Sequence, residues 1–470
     1  MRHQNSSQGA TLFAVSAVYF MLPFMLSAVG VALPTLGRDM GASAKQLGLV
    51  ETSYILSVSV LLLAMGRLGD IHGRRRIFQT GIALFTLVGG ALSQAGSIEM
   101  VIGLRFLQGV GGAMMAATGM AIVVGVFPAS ERGKALGISV ATVYAGVSCG
   151  PFIGGALVSA FGWRSLFYLC IPMGTATFLL VRWKLRGEWA DARGEPFDWQ
   201  GSLVYAIAIV LLLLGCSNLD HGRWPWGALA AGLAGLVLFI WVETRTTYPI
   251  LDVRLLRDNR IFALSNLAAL LNYAATFGVT FFLSLYLQYV KGLPPRTAGL
   301  VLMVQPVMMA LLSPICGRLS DRYAAARVAT AGMALCALGL GVAATLTAAT
   351  PLSIVLLMLM LLGVGFALFS SPNNSLIMGS VPPRHLGVAS GLAASMRSLG
   401  MMTSMTVITV AFSVFMGGHS VTPETQPAFL LSMRVSLVAF CLLCGVGILC
   451  SLGRWRVPVP ARAAPEGTRT

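Results

Sequence analysis

Three ionisable residues lie deep inside long apolar runs of this 470-residue chain: Glu51, Arg105 and Arg397. At a membrane centre such a charge costs about 2.5–3.5 kcal/mol, so it is retained where it has a task. Glu51 has Tyr54 at i+3 and Arg105 has Gln108 at i+3, and the two charges fall at similar depths below one face. A Glu51–Arg105 pair would lower the burial penalty of both. Glu51 is also the one acid these runs enclose, which makes it the candidate to bind and release a proton. Arg397 lies about 15 Å into its run. Asn266, Asn272, Tyr273, Gln305, Asn373 and Asn374 add hydrogen-bonding groups among many Met and Phe side chains, a lining suited to varied apolar ligands. Ordinary interhelical hydrogen bonding is the plainer use of each. Two arginines against one acid predict neutral or anionic amphiphiles as ligands, not lipophilic cations.

Other chemistries lack their residues. Five histidines (His3, His72, His221, His385, His419) fall in loops or the tail, and the eight cysteines fall within apolar runs or at their ends. Neither set makes a nucleophile constellation or a zinc site. No Walker-type phosphate loop is present, so ATP is not expected as the direct energy source. The chain is not expected to be an enzyme, and no cofactor or metal is expected.

The elements that must position these residues are membrane spans. Hydrophobic residues make up 56% of the chain and charged residues 10%, against about 25% charged in soluble domains. About 20 apolar residues cross a bilayer, and that rule yields about fourteen spans: six within 11–181, two shorter ones at 201–215 and 226–242, and six within 261–452. The first run exceeds a signal-peptide core of about 7–15 residues and is expected to be retained. The net charge of +16 sits in the connections. Fourteen spans place 23 basic residues on one side and seven on the other, which predicts cytoplasmic termini and makes nucleic acid a remote partner.

The two halves repeat. A shift of 254 residues lays Gly109, Gly111, Pro128, Gly133 and Gly146 on Gly363, Gly365, Pro382, Gly387 and Gly400, and a shift of 251 lays Gly66–Asp70 (GRLGD) on Gly317–Asp321 (GRLSD). The reading is an all-α integral membrane protein of two six-helix bundles in the same sense, 1–186 and 258–456, with a linker and two inserted helices at 187–257 and a cytoplasmic tail at 457–470.

With "GRLGDIHGRRR", "RFLQGVGGAMM", "GVSCGPFIGG", "SPNNSLIMGSVP" and "GLAASMRSLG", the chain resembles the major facilitator superfamily, in its fourteen-span drug:proton antiporter branch. The resemblance covers nearly the whole chain. It implies a secondary transporter in a plasma (inner) membrane, expected to be monomeric, that moves small molecules outward in exchange for protons. It also assigns Gly66, Asp70, Gly73, Arg74, Arg75 and Arg76 to a latch between the bundles. Gly317, Asp321 and Arg322 form a second copy, expected to be weaker because its later glycine is Ala324. Gly146, Gly150, Pro151, Gly154 and Gly155 match the antiporter stripe, which the family places at the bundle interface. The branch keeps an acid and an Asn in its first span where this chain has Met25 and Gly30. Coupling is therefore expected to move to Glu51, and an uncoupled facilitator or importer of the same fold is the alternative.

Overall fold

The computed structural model describes residues 8–42, 44–185, 187–217, 222–251, 253–293, 295–416 and 425–455. The tail at 457–470 lies outside the described residues, as do His3, His221 and His419. In hydrocarbon every backbone N–H and C=O needs a partner within its own segment, and an apolar run satisfies this by coiling into a helix. Among the described residues, 13 helices are long and apolar enough to cross a membrane, and Trp199–Gly215 is a shorter apolar helix.

The first bundle comprises α1 (Gln8–Met40), α2 (Ala44–His72), α3 (Arg74–Ser93), α4 (Ile98–Val126), α5 (Arg132–Phe161) and α6 (Arg164–Lys184). An inserted hairpin follows, α7 (Trp199–Ser217) and α8 (Trp224–Arg245), then the short α9 (Val253–Asp258). The second bundle comprises α10 (Arg260–Leu285), α11 (Pro295–Leu302) continued by α12 (Val304–Arg322), α13 (Ala325–Ala344), α14 (Leu352–Gly379), α15 (Leu386–Met416) and α16 (Gln426–Leu452). The apolar core of the first bundle runs on into the hairpin at Tyr205 and Phe239 and across the seam to Ile377, Val388 and Leu392, while the second bundle buries a further core of its own. Large apolar side chains such as Leu87, Phe152, Leu442 and Leu449 remain exposed on the outside, the pattern of helices whose outer faces meet lipid.

The glycine stripe of α5 departs from expectation in its partner. A methyl on Gly150 would stand 2.7 Å from the Ser27 Cβ, and one on Gly154 would stand 2.7 Å from the Ala28 Cβ. Gly146 presses on the Phe20 carbonyl. The stripe therefore lets α5 approach α1 inside the first bundle and does not form the seam between bundles. Gly155 is off the stripe, with Val31 at 3.7 Å as its nearest neighbour, and Pro151 is exposed. Gly150→Val is expected to force the helices apart at about 1–3 kcal/mol. It should lower the midpoint of thermal aggregation, measured on detergent-purified protein, while Gly155→Ala leaves that midpoint unchanged.

Candidate functional site

The seam between the bundles is closed at one end by two matching contacts. At the first, Asp70 ends α2 fully buried, and its Oδ1 accepts from Arg74 Nε at 2.8 Å and Nη2 at 2.6 Å. The same carboxylate accepts the backbone N–H of Gly387 at 2.8 Å and of Val388 at 3.0 Å. An acid of the first bundle thus caps the N-terminus of α15 in the second, where unpaired N–H groups and the helix dipole favour an anion. Arg74 also donates to the Pro383 carbonyl. At the second contact, Asp321 of α12 accepts the N–H of Gly133 and of Lys134, each at 2.9 Å, and so caps α5. A methyl on Gly66 would strike the Gly387 carbonyl, and one on Gly317 would strike that of Gly133. The two shifts found in the sequence therefore pair Gly66–Asp70 with Gly387 and Gly317–Asp321 with Gly133, one contact repeated about an approximate twofold axis. Gly73 takes φ 111°, which a glycine tolerates, whereas Ala324 takes φ −60°. The loss of that glycine changes the turn after Asp321 without removing the cap. Arg322 is exposed at the end of α12.

The loop after α6 closes over the first contact, and sequence reasoning passed over it because loop acids read as solvated charge. Glu195 bonds Arg67 at 2.5 Å, Asp191 bonds Arg74 at 3.1 Å, and Glu188 faces Arg76 at 3.5 Å while accepting the Arg75 N–H at 3.0 Å. Burial pushes the Glu188 carboxyl above its usual range, in spite of the N–H groups and charges of Arg75 and Arg76. Backbone bonds from Arg74 N–H to Trp189 O at 2.9 Å and from Ala192 N–H to Asp70 O at 3.0 Å fix this strap in place.

Farther along the seam a small cleft is lined by Met120 of α4, Ala269 and Tyr273 of α10, Phe369, Ser370, Asn373 and Asn374 of α14, and Ala393, Ala394 and Arg397 of α15. Arg397 interacts with the hydroxyls of Tyr273, Tyr19 and Tyr144. Tyr144 in turn hydrogen-bonds Tyr273 and Ser370. Tyr19 and Tyr144 come from the first bundle and the rest of this cluster from the second, so the group spans the seam. Phe366 stands edge-on to Tyr144 at 5.7 Å and to Tyr273 at 5.1 Å. A tyrosine in an apolar run reads as wall, and only the mirrored position of Tyr144 on α5, close to the depth of Arg397 on α15, could have flagged it.

The remaining expected residues separate. Tyr273, Asn373, Asn374 and Arg397 line the cleft, whereas Gln305, Asn266 and Asn272 do not. Asn266 donates to its own helix at Phe262 O, 2.9 Å, and neither amide atom of the fully buried Asn272 has a partner among the described residues. Asn373 joins Ser265 O at 3.0 Å and receives Arg454 Nη1 at 2.6 Å. Burial pushes the Arg454 guanidinium down to about 10, and this arginine just past α16 was not anticipated.

Glu51 and Arg105 do not form the expected ion pair. Arg105 donates to Gln108 Oε1 at 2.7 Å and Val50 O at 3.3 Å, and its guanidinium lies 4.4 Å from the Tyr54 ring centre. Glu51 turns to α1, where its carboxylate lies against Gly30 and a methyl would meet Oε1 at 2.8 Å. The two charges still act on each other through space. A ring stacked on the guanidinium holds it by cation–π attraction, which left Glu51 free to reach the bare backbone of α1. Glu51 is also not the only enclosed acid: α8 runs to Arg245 and carries Glu243, 2% exposed, inside it.

Comparison with known proteins bears on this arrangement. The family model described as Major Facilitator Superfamily matches residues 15–405 and 266–469. The riboflavin transporter RibZ of Clostridioides difficile is 32% identical over 434 residues, covering 92% of this chain and 94% of that protein. The multidrug resistance protein Stp of Mycobacterium tuberculosis is 32% identical over 413 residues, 86% of this chain and 76% of that protein. Among solved structures, the human organic anion transporter MFSD10 superposes with a TM-score of 0.68 over 95% of this chain and 100% of its own, at 13% identity, a likeness of fold.

Proposed function

The chain belongs to the major facilitator superfamily, a family of multi-pass membrane transporters, and from that premise we propose that it exports small neutral or anionic amphiphiles from the cytoplasm in exchange for protons. The observation that carries the substrate class is the Arg397 guanidinium, which bonds the Tyr273 hydroxyl and feels those of Tyr19 and Tyr144 through space at the seam. Phenols hydrogen-bond a guanidinium without neutralising it, so the cluster presents positive charge beside aromatic walls. Stp, a multidrug resistance protein, supports drug-like molecules as substrates, and RibZ, a riboflavin transporter, supports transport of a small molecule. In this reading both termini are cytoplasmic, the membrane is the plasma (inner) membrane, and the twin acid caps close the cytoplasmic end of the path. Residues 1–186 and 258–456 are the rocking units, 187–257 carries the inserted helices, and the monomer is the working unit.

Proton coupling is assigned to Glu51. In the antiporter pattern an acid belongs to the first span, but Met25 stands at that position, 1% exposed. The Glu51 carboxylate reaches α1 from α2 instead, and Gly30 provides the space. Protonation would neutralise the nearby counter-charge of Arg105 and release α1 from α2.

The test uses proteoliposomes with an imposed pH gradient and a panel of neutral, anionic and cationic amphiphiles. Substrate-triggered proton movement is expected for the native chain, with at least a tenfold loss in Glu51→Gln. Substrate movement without proton movement would instead make the protein an uncoupled facilitator, the reading that buried Met25 favours.

A further inference from the structure

The inserted hairpin holds a pair of acids that the reading above does not use. Asp198 immediately precedes α7, and Glu243 lies one turn from the end of α8. Each spends one oxygen on backbone. Asp198 Oδ1 accepts the Gly201 N–H at 2.9 Å, and Glu243 Oε2 accepts the Leu251 N–H at 2.9 Å.

The other two oxygens, Asp198 Oδ2 and Glu243 Oε1, are buried and receive no N–H or O–H from any other described residue. Both crowd the bare Cα of Gly201, where an added methyl would strike one and stand 2.5 Å from the other. Glu243 is 2% exposed. Two carboxylate oxygens brought together without a donor repel, and each buried acceptor left without a proton destabilises the fold. One proton placed between them satisfies both atoms and removes the repulsion, as in a carboxyl–carboxylate dyad.

The surrounding charges do not supply an alternative donor. On α2, Arg67 is engaged by Glu195, and Asp70 is engaged by Arg74, which also bonds Asp191. On α8, Arg245 stacks on Trp241 at 4.0 Å. On α9, Arg257 lies beside Asp258 and Arg254 lies one turn earlier, but the groups acting on Glu243 are Asp198 and the N–H groups of Ile250 and Leu251. On α15, which also packs on α7, Arg397 is engaged by the tyrosines of the seam.

We propose that Asp198 and Glu243 share a single proton and form a protonatable site within the inserted hairpin, separate from the seam between the bundles. The bound ligand is the proton itself. It joins three segments: the end of the strap at Asp198, the last turn of α8, and the backbone at Ile250–Leu251. The site stands whether or not transport is proton-coupled, because it rests on the hairpin alone.

Infrared spectroscopy on the purified full-length protein in lipid nanodiscs tests it. A Glu51→Gln background removes that carboxyl from the comparison. At neutral pH the background protein is expected to show the C=O stretch of a protonated carboxyl that is lost on adding Glu243→Gln and equally lost on adding Asp198→Asn. Glu243→Gln should keep its thermal midpoint, because the amide N–H replaces the shared proton, whereas Glu243→Ala should lower it. A spectrum in which that band survives both Glu243→Gln and Asp198→Asn, or is absent from the start, overturns the proposal. So does a pair of ionised-carboxylate bands that shifts on adding sodium or calcium, since the pair would then hold a metal cation.

Discussion

Asp70→Asn is expected to reduce transport at least tenfold while leaving the protein monodisperse in detergent. The carboxylate accepts two bonds from Arg74 and one each from the N–H groups of Gly387 and Val388. An amide has one acceptor oxygen for those donors and no charge. The Arg74 bonds lie within the first bundle and persist whichever way the seam opens, so the state-dependent part is the cap on α15. Hydrogen bonds to a charged group contribute about 1.5–3 kcal/mol each. Losing one and weakening the other would shift the closed–open equilibrium roughly tenfold to several-hundredfold. Spin labels at Lys134 and Tyr323, exposed residues on opposite sides of the seam, should report longer distances in Asp70→Asn. They should report longer ones still in the double variant with Asp321→Asn, because both caps close one end. Unchanged distances and unchanged transport would show that the caps are not the latch.

Arg397→Gln should remove transport of anionic amphiphiles by roughly ten- to a hundredfold and spare neutral ones to within a few-fold. The guanidinium bonds the Tyr273 phenol and acts through space on those of Tyr19 and Tyr144, and no carboxylate among the described residues acts on it. An incoming anion would gain a charge-assisted hydrogen bond worth about 1.5–3 kcal/mol. The sign of the stability effect separates a binding role from a structural one. A cation held in a membrane seam without an acid beside it is a burden on the empty protein, so Arg397→Gln should keep or raise the thermal midpoint while abolishing the rise produced by anionic ligand. Arg397→Lys keeps the charge but loses the planar fork and should fall between the two. Lipophilic cations emerging as the best substrates would contradict the assignment.

The two matching contacts at the seam were foreshadowed in the sequence because they fall on the repeat. The shift of 251 carries Asp70 onto Asp321 and the shift of 254 carries Gly133 onto Gly387, so the Asp70–Gly387 contact maps onto the Asp321–Gly133 contact. Hydropathy likewise marked the spans, since lipid imposes their length. What escaped notice shares one physical cause: patterns along a helix do not say which neighbour its face will meet. Tyr19 and Tyr144 looked like apolar wall until α1 and α5 met Arg397. Glu243 falls just beyond a hydropathy window that closes at Val242, although its helix continues to Arg245. The Gly146–Gly154 stripe marked a close approach, but its partner proved to be α1. Depth along the spans matches Glu51 to Arg105, but stacking on Tyr54 and the gap at Gly30 turn the two side chains to other neighbours.

The strap after α6 bears on how the molecule could pivot. All four arginines it engages, Arg67, Arg74, Arg75 and Arg76, belong to α2 and α3, and α7 packs more broadly on α2 than on α15. The hairpin is therefore geared to the first bundle and should swing with it as ballast. Past α8 the anchorage changes hands: Asn259 donates its amide to the Ser380 carbonyl of the second bundle at 2.5 Å. In the rocking motion proposed above, the fulcrum is expected in the short stretch between Arg245 and Asn259. Stiffening that stretch is expected to slow the swing without touching the cleft, the caps or Glu51.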